Sequence, residues 1–165
     1  MIDLRDNSPA IAAAMQRVAT AAANAAPLMR DIADIMHDEV EENFAQQGRP
    51  KWLGLKPPVN PRRVGGMILQ DSGQLAASIV QVSDSNSATV GTVKAYAAIH
   101  QFGGQTRPHV IKPRNKKALA FGGRVVKQVN HPGSKIPARP FLMITPGGEE
   151  RILETVSAYL KNAAG

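Results

Sequence analysis

Three histidines, His100, His109 and His131, are the first residues to invite chemistry. Neutral imidazole is the commonest metal ligand and titrates near neutral pH. No two of these three have the i, i+3 or i, i+4 spacing that sets paired ligands on one helical face. No neighbouring carboxylate or cysteine completes a set. His100, beside Phe102, reads as a partly buried, hydrogen-bonded histidine, and His109 and His131, close to prolines, read as exposed loop residues. Catalysis by paired carboxylates fares no better, because the acidic residues cluster on helical faces as solvated groups. Ser72-Gly73 and Ser134 lack a nucleophile-elbow context. The Gly-Gly pairs at 65, 103, 122 and 147 lack the Lys-Ser/Thr signature of a phosphate loop and read as turns. No catalytic constellation emerges, so the expectation is a protein that is not an enzyme and holds no metal or cofactor.

Charge is the stronger signal. The chain has 165 residues and a net charge of +7. Residues 49–140 hold 15 Lys/Arg against Asp71 and Asp84 alone, whereas the remainder holds 5 Lys/Arg against 11 Asp/Glu. An acidic frame with a basic middle suits either a nucleic-acid surface or docking of basic faces onto acidic neighbours. Lys112, Arg114, Lys116, Lys117, Arg124 and Lys127 are the cations that would neutralise phosphates or meet a partner, with Arg62 and Arg63 in an earlier loop. Few aromatics accompany them for base stacking, and no helix-turn-helix or zinc finger is visible.

The elements that must carry these groups follow from pattern. Ser8-Pro9 opens a helix whose alanines favour it and whose Ile11, Met15 and Val18 share one face. A second helix runs from Pro27 to Gln46, with Leu28, Ile32, Ile35, Met36, Val40 and Phe44 as its apolar stripe. Twenty residues span about 30 Å. Gly48 ends it. A Pro/Gly-rich connection follows, and a loop of that length is functional or disordered. β-branched residues at 78–82 and 89–93 flank Asp84-Ser85-Asn86-Ser87 and predict a hairpin. Residues 95–102 read as one or two helical turns closed by Gly103-Gly104. A basic region comes next, with an extended piece at Val110-Ile111, a strand pair at 118–121 and 125–129, and a loop at 131–135. From Gly147 a helix turns Ile152, Leu153, Val156, Tyr159, Leu160 and Ala163 inward.

The fold class is α+β: N-terminal helices and a C-terminal helix packed on a small, mainly antiparallel β-sheet with long extended loops. One domain, 1–165, is expected, long enough to bury about 70% of its unfolded surface. It comprises a helical segment 8–46, a long loop 47–74, a β-rich part 75–145 with a basic arm at 104–135, and a C-terminal helix 146–165. No apolar run long enough for a membrane span occurs, and the N-terminus lacks a signal-peptide pattern. The absence of cysteine excludes disulfides and thiolate metal sites and fits a cytosolic product. Hydrophobic residues make up 43% of the chain but aromatics only 4%, so each aromatic is expected to pin the core. Trp52, Leu75, Tyr96, Ile99, Phe102, Pro140 and Phe141 are the expected core set.

Several motifs occur in a recognisable order: Gly48-Arg49-Pro50-Lys51-Trp52 after a helix ending in Phe44, then Arg62-Arg63, and Ile68-Leu69-Gln70-Asp71-Ser72-Gly73-Gln74-Leu75 leading to Ser78-Ile79. Val90-Gly91, Tyr96-Ala97-Ala98-Ile99-His100-Gln101-Phe102-Gly103-Gly104 and Ile136-Pro137-Ala138-Arg139-Pro140-Phe141-Leu142 follow, before a closing helix. Over residues 28–160 this array resembles the phage virion morphogenesis proteins of the Mu-like tail-completion group. The alanine-rich leader departs from the pattern. The resemblance implies a structural protein of tail completion or the head–tail junction, found in the virion after assembly in the host cytoplasm. It also implies docking to tail tube, terminator or head-connector proteins, as a homo-oligomeric ring. A nucleic-acid-binding module using residues 104–135, in weak contact with DNA, is the alternative.

Overall fold

The computed structural model describes residues 8–55, 66–121 and 123–165. The chain is α+β and divides into two compact units, one formed by residues 1–94 and 141–165 and the other by residues 95–140.

The first unit is built from three long helices and a hairpin. Helix α1 spans Ser8–Ala23 and α2 spans Ala26–Ala45, with Pro27 in its first turn. Strands β1, Ile79–Ser83, and β2, Ala88–Thr92, pair antiparallel with Ile79 opposite Thr92 and Ser83 opposite Ala88. The connecting turn is held by Asp84, whose carboxylate accepts from the Asn86 and Ser87 N–H groups at 2.7 and 2.8 Å. Those hydrogen bonds, with the Ser87 hydroxyl, hold its pKa below the ordinary aspartate value. Helix α4, Pro146–Ala164, starts at Thr145, whose hydroxyl accepts the Gly148 N–H as an N-cap. Arg17 of α1 donates to the Ala163 and Ala164 carbonyls at the far end of α4, where a cation is favoured by the helix dipole.

The core of this unit lies where α2 meets Trp52, Ile68, Leu75, Ile79 and Phe141, all buried. Phe44 sits between two aromatics, edge-on to Trp52 at 5.9 Å and tilted against Phe141 at 5.3 Å. One helix face differs from its predicted orientation. Leu153 and Leu160 of α4 point outward, as do Ile11 and Met15 of α1. Half-buried Ala14, Val18 and Ala21 line the better-covered face of α1, where small side chains permit close helix approach.

In the second unit, helix α3, Ala97–Phe102, occupies the place where one or two turns are predicted. Six short strands follow: β3 Gly104–Gln105, β4 His109–Ile111, β5 Leu119–Phe121, β6 Arg124–Val126, β7 Val129–His131 and β8 Lys135–Ile136. They pair antiparallel as β3 with β8, β4 with β7 and β5 with β6. The pairs nest inside one another, so the segment is one long interrupted hairpin arm. The sheet expected from the pattern is thus four separate two-stranded antiparallel ladders among the described residues. The strand expected at 125–129 is two pieces, because Val129 pairs with Ile111 rather than continuing β6.

Candidate docking surface

The arm carries the predicted cations, and the structure shows how it presents them. Lys112, Arg114, Lys116 and Lys117 occupy the loop between β4 and β5, Arg124 lies on β6, and Lys127 follows β6. All six side chains are exposed. Residues 95–140 contain nine Lys/Arg and no Asp or Glu, so none of these cations has a carboxylate partner within its own unit. Arg62 and Arg63 lie outside the described residues.

Between the arm's strands runs an apolar groove of about 380 Å³, lined by Ile111, Leu119, Ala120, Val129 and His131. It shares Leu119 and Ala120 with a second depression of about 310 Å³, lined also by Arg114 and Lys116. Apolar floor and cationic rim are therefore continuous.

His109 and His131 are strand residues facing each other across β4 and β7, not loop residues, with rings stacked at 5.1 Å. His109 Nδ1 donates to the Arg107 carbonyl at 3.0 Å, and His131 Nδ1 accepts the Gly133 N–H at 3.0 Å. The Ser134 N–H donates to the Thr106 hydroxyl at 2.7 Å, next to the Gln105–Lys135 pair of β3 and β8.

At the root of the arm, Tyr96 and His100 meet edge to face at 6.1 Å. The Arg139 N–H donates to the His100 carbonyl at 2.7 Å, joining α3 to the returning strand. Burial first, then the Arg139 charge, holds the His100 pKa below its ordinary value. Gly103 has φ +72, and a Cβ there would stand 2.8 Å from the Ala138 nitrogen. Only glycine fits.

The expected core set separates here. Trp52, Leu75 and Phe141 are buried and Ile99 is half-buried. Tyr96, Phe102 and Pro140 are corrections: Phe102 is 79% exposed, Tyr96 is 43% exposed, and Pro140 is exposed. The physical reason is the shortness of α3. Six residues make under two turns, so α3 buries Ala97 on one side and carries Phe102 at its end, outward.

Sequence reasoning placed Glu39 among the solvated acids, whereas its residue is only 5% exposed. Its Oε2 accepts from the Thr145 N–H at 3.0 Å, the Thr145 hydroxyl at 2.7 Å and Arg49 Nη2 at 3.0 Å. Burial raises its pKa, but these hydrogen bonds and the Arg49 charge outweigh it, and the net pKa lies below the ordinary value. Gly148 packs against this carboxylate; a Cβ would lie 2.6 Å from Glu39 Cδ. One helical turn on, fully buried Asn43 donates to the Phe141 and Met143 carbonyls at 3.0 and 2.8 Å. Arg49 Nε donates to Asn43 Oδ1 at 3.0 Å. The polar cluster thus fastens α2, the segment after it, and the chain entering α4. Spacing offered no signal for it, because Thr145 and Phe141 lie about a hundred residues downstream.

His37, Asp38 and Glu41 place one ligand-type atom each within 4.8 Å of one another on α2. Asp38 accepts from Arg151 at 3.2 Å, and His37 lies 4.0 Å from Glu41, so the group is a surface ion-pair cluster.

The chain belongs to the phage virion morphogenesis family, which matches residues 6–161. It is similar to "Mu-like prophage FluMu G protein 2" of Haemophilus influenzae (strain ATCC 51907 / DSM 11121 / KW20 / Rd), at 40% identity over 162 residues, 98% of this chain and 97% of that one. No solved structure matches. Its role is therefore structural, in virion assembly. No helix among the described residues is long and apolar enough to cross a membrane.

Proposed function

We propose that this chain completes the phage tail or joins it to the head, by docking to other virion proteins and without catalysis. The observation that carries the reading is the basic arm of residues 95–140, with nine cations and no carboxylate, set on a body of a virion morphogenesis protein. Such an arm is suited to a negatively charged protein surface, because complementary charge speeds encounter and fixes register. Lys112, Arg114, Lys116, Lys117, Arg124 and Lys127 are the docking cations in this reading, joined by Arg62 and Arg63. The partners are tail tube, terminator or head-connector proteins, the assembled form is a homo-oligomeric ring, and the site of action is the tail or neck of the virion after assembly in the host cytoplasm.

Electron microscopy of particles made without this chain tests the reading. Tails unable to join heads are expected; normal infectious virions would refute it. A second reading, weak contact of the arm with DNA, is favoured by the same cation count. A binding titration against salt decides it, since several phosphate contacts make affinity fall steeply as salt rises.

A further inference from the structure

We infer that the groove of the arm receives the outer face of helix α4 from a second copy of this chain, giving a head-to-tail contact. This deepens the assembly reading and rests on it. The groove presents an apolar floor at Ile111, Leu119 and Val129, continuous with a rim that includes Arg114 and Lys116. Its occupant therefore carries apolar side chains flanked by carboxylates. The first turns of the outer face of α4 have that pattern: Glu150, Leu153, Glu154 and Ser157 follow one another at helical spacings of three, one and three along a stripe that ends in Ala158 and the cation Lys161, beyond the two carboxylates. Leu153 is 66% exposed, and neither Glu150 nor Glu154 enters an ion pair among the described residues. The stripe therefore sets a large apolar side chain between two carboxylates that have no ion-pair partner among the described residues. It is the complement of an apolar groove between unanswered cations.

Because groove and stripe are different surfaces of the same chain, the contact is heterologous. Each copy offers its groove to one neighbour and its stripe to the other, which closes a ring where the rotation permits. Leu153 fills the floor, and Glu150 and Glu154 face Arg114 and Lys116.

Two charge-reversed variants of the full chain test this, R114E/K116E and E150K/E154K, compared with wild type by sedimentation at several salt concentrations. Wild type is expected to self-associate and to lose mass as salt rises. Each variant alone should fold with wild-type circular dichroism and remain monomeric, its self-association weakened on the order of a hundredfold by like-charge contact. Mixed in equal amounts, the two should associate again in alternating order, since each mismatched surface finds its complement on the other variant. L153D should be monomeric alone, and mixed with R114E/K116E it should stop at a heterodimer, its intact groove taking the intact stripe of that variant. The inference is overturned if wild type is monomeric at low salt, if either variant associates as wild type does, or if the mixture stays monomeric. It is equally overturned if R114E/K116E loses duplex DNA binding with oligomer mass unchanged, which makes the arm a nucleic-acid surface. Failure of this kind leaves the assembly reading standing as long as particles lacking the chain remain incomplete.

Discussion

The body and the arm of this protein solve opposite problems. The body, residues 1–94 and 141–165, buries aromatic and aliphatic side chains and answers its inward charge: Glu39 meets Arg49 and Thr145. The arm, residues 95–140, has Ala97 and Arg139 as its buried residues among those described, strands of two or three residues, and nine cations with no acid. One is held together from within. The other spends its sequence on exposed, basic surface.

Removing the body's centre should have the largest effect. Phe141 is fully buried against Phe44, so Phe141→Ala should cost about 3–5 kcal/mol, read as a lowered denaturation midpoint. Asn43→Ala leaves the Phe141 and Met143 carbonyls without their donor and should cost about 2–4 kcal/mol. If either change proved mild, the body would not be the stable half.

Next comes pH. The folded pKa of Glu39 lies below its ordinary 4.5, so the unfolded chain binds its proton more readily. The stability it contributes is present above about pH 4.5 and is lost as pH falls through the folded value. In acid titrations of stability, the advantage of wild type over Glu39→Gln should shrink below that point, with the variant's curve flatter. His100 acts in the same direction at higher pH, because its depressed folded pKa costs stability once the unfolded imidazole would charge.

A change at the arm's root should be local. Gly103→Ala meets both a left-handed φ of +72 and a contact of 2.8 Å, and is expected to cost about 1–3 kcal/mol. Hydrogen exchange should speed up within residues 95–140 and stay unchanged in α2 and α4. Uniform acceleration would mean that body and arm unfold as one. The smallest effect on stability belongs to the arm cations: Lys116→Gln and Lys117→Gln should shift it by less than about 0.5 kcal/mol, while weakening assembly. A large loss of stability there would make these residues part of the fold rather than of its surface.

Much of the body was legible in the residues. The 3.6-residue stripe of α2, Pro27 in its first turn, the turn-forming Asp84–Ser87 and the closing helix each announce themselves within a few positions, because helix and hairpin periods are local. Aromatic scarcity pointed correctly to Trp52 and misled at Phe102. Residue type says that a phenylalanine gains by burial; it does not say which way a six-residue helix will point it. The outward turn of Leu153 was hidden for a related reason, since an apolar residue beside an amphipathic stripe is read into that stripe.

By itself, then, the sequence determined the helices, the hairpin, the segregation of charge and the order of motifs shared with virion morphogenesis proteins. Each depends on neighbours in the chain or on simple counting. Tertiary structure alone decided that Glu39 is buried, that His109 stacks on His131, and that three nested strand pairs make an arm with an apolar groove between cations. Those features join residues that are far apart in the chain, and whether a charge is solvated or an apolar side chain covered is settled only by what folding brings against it.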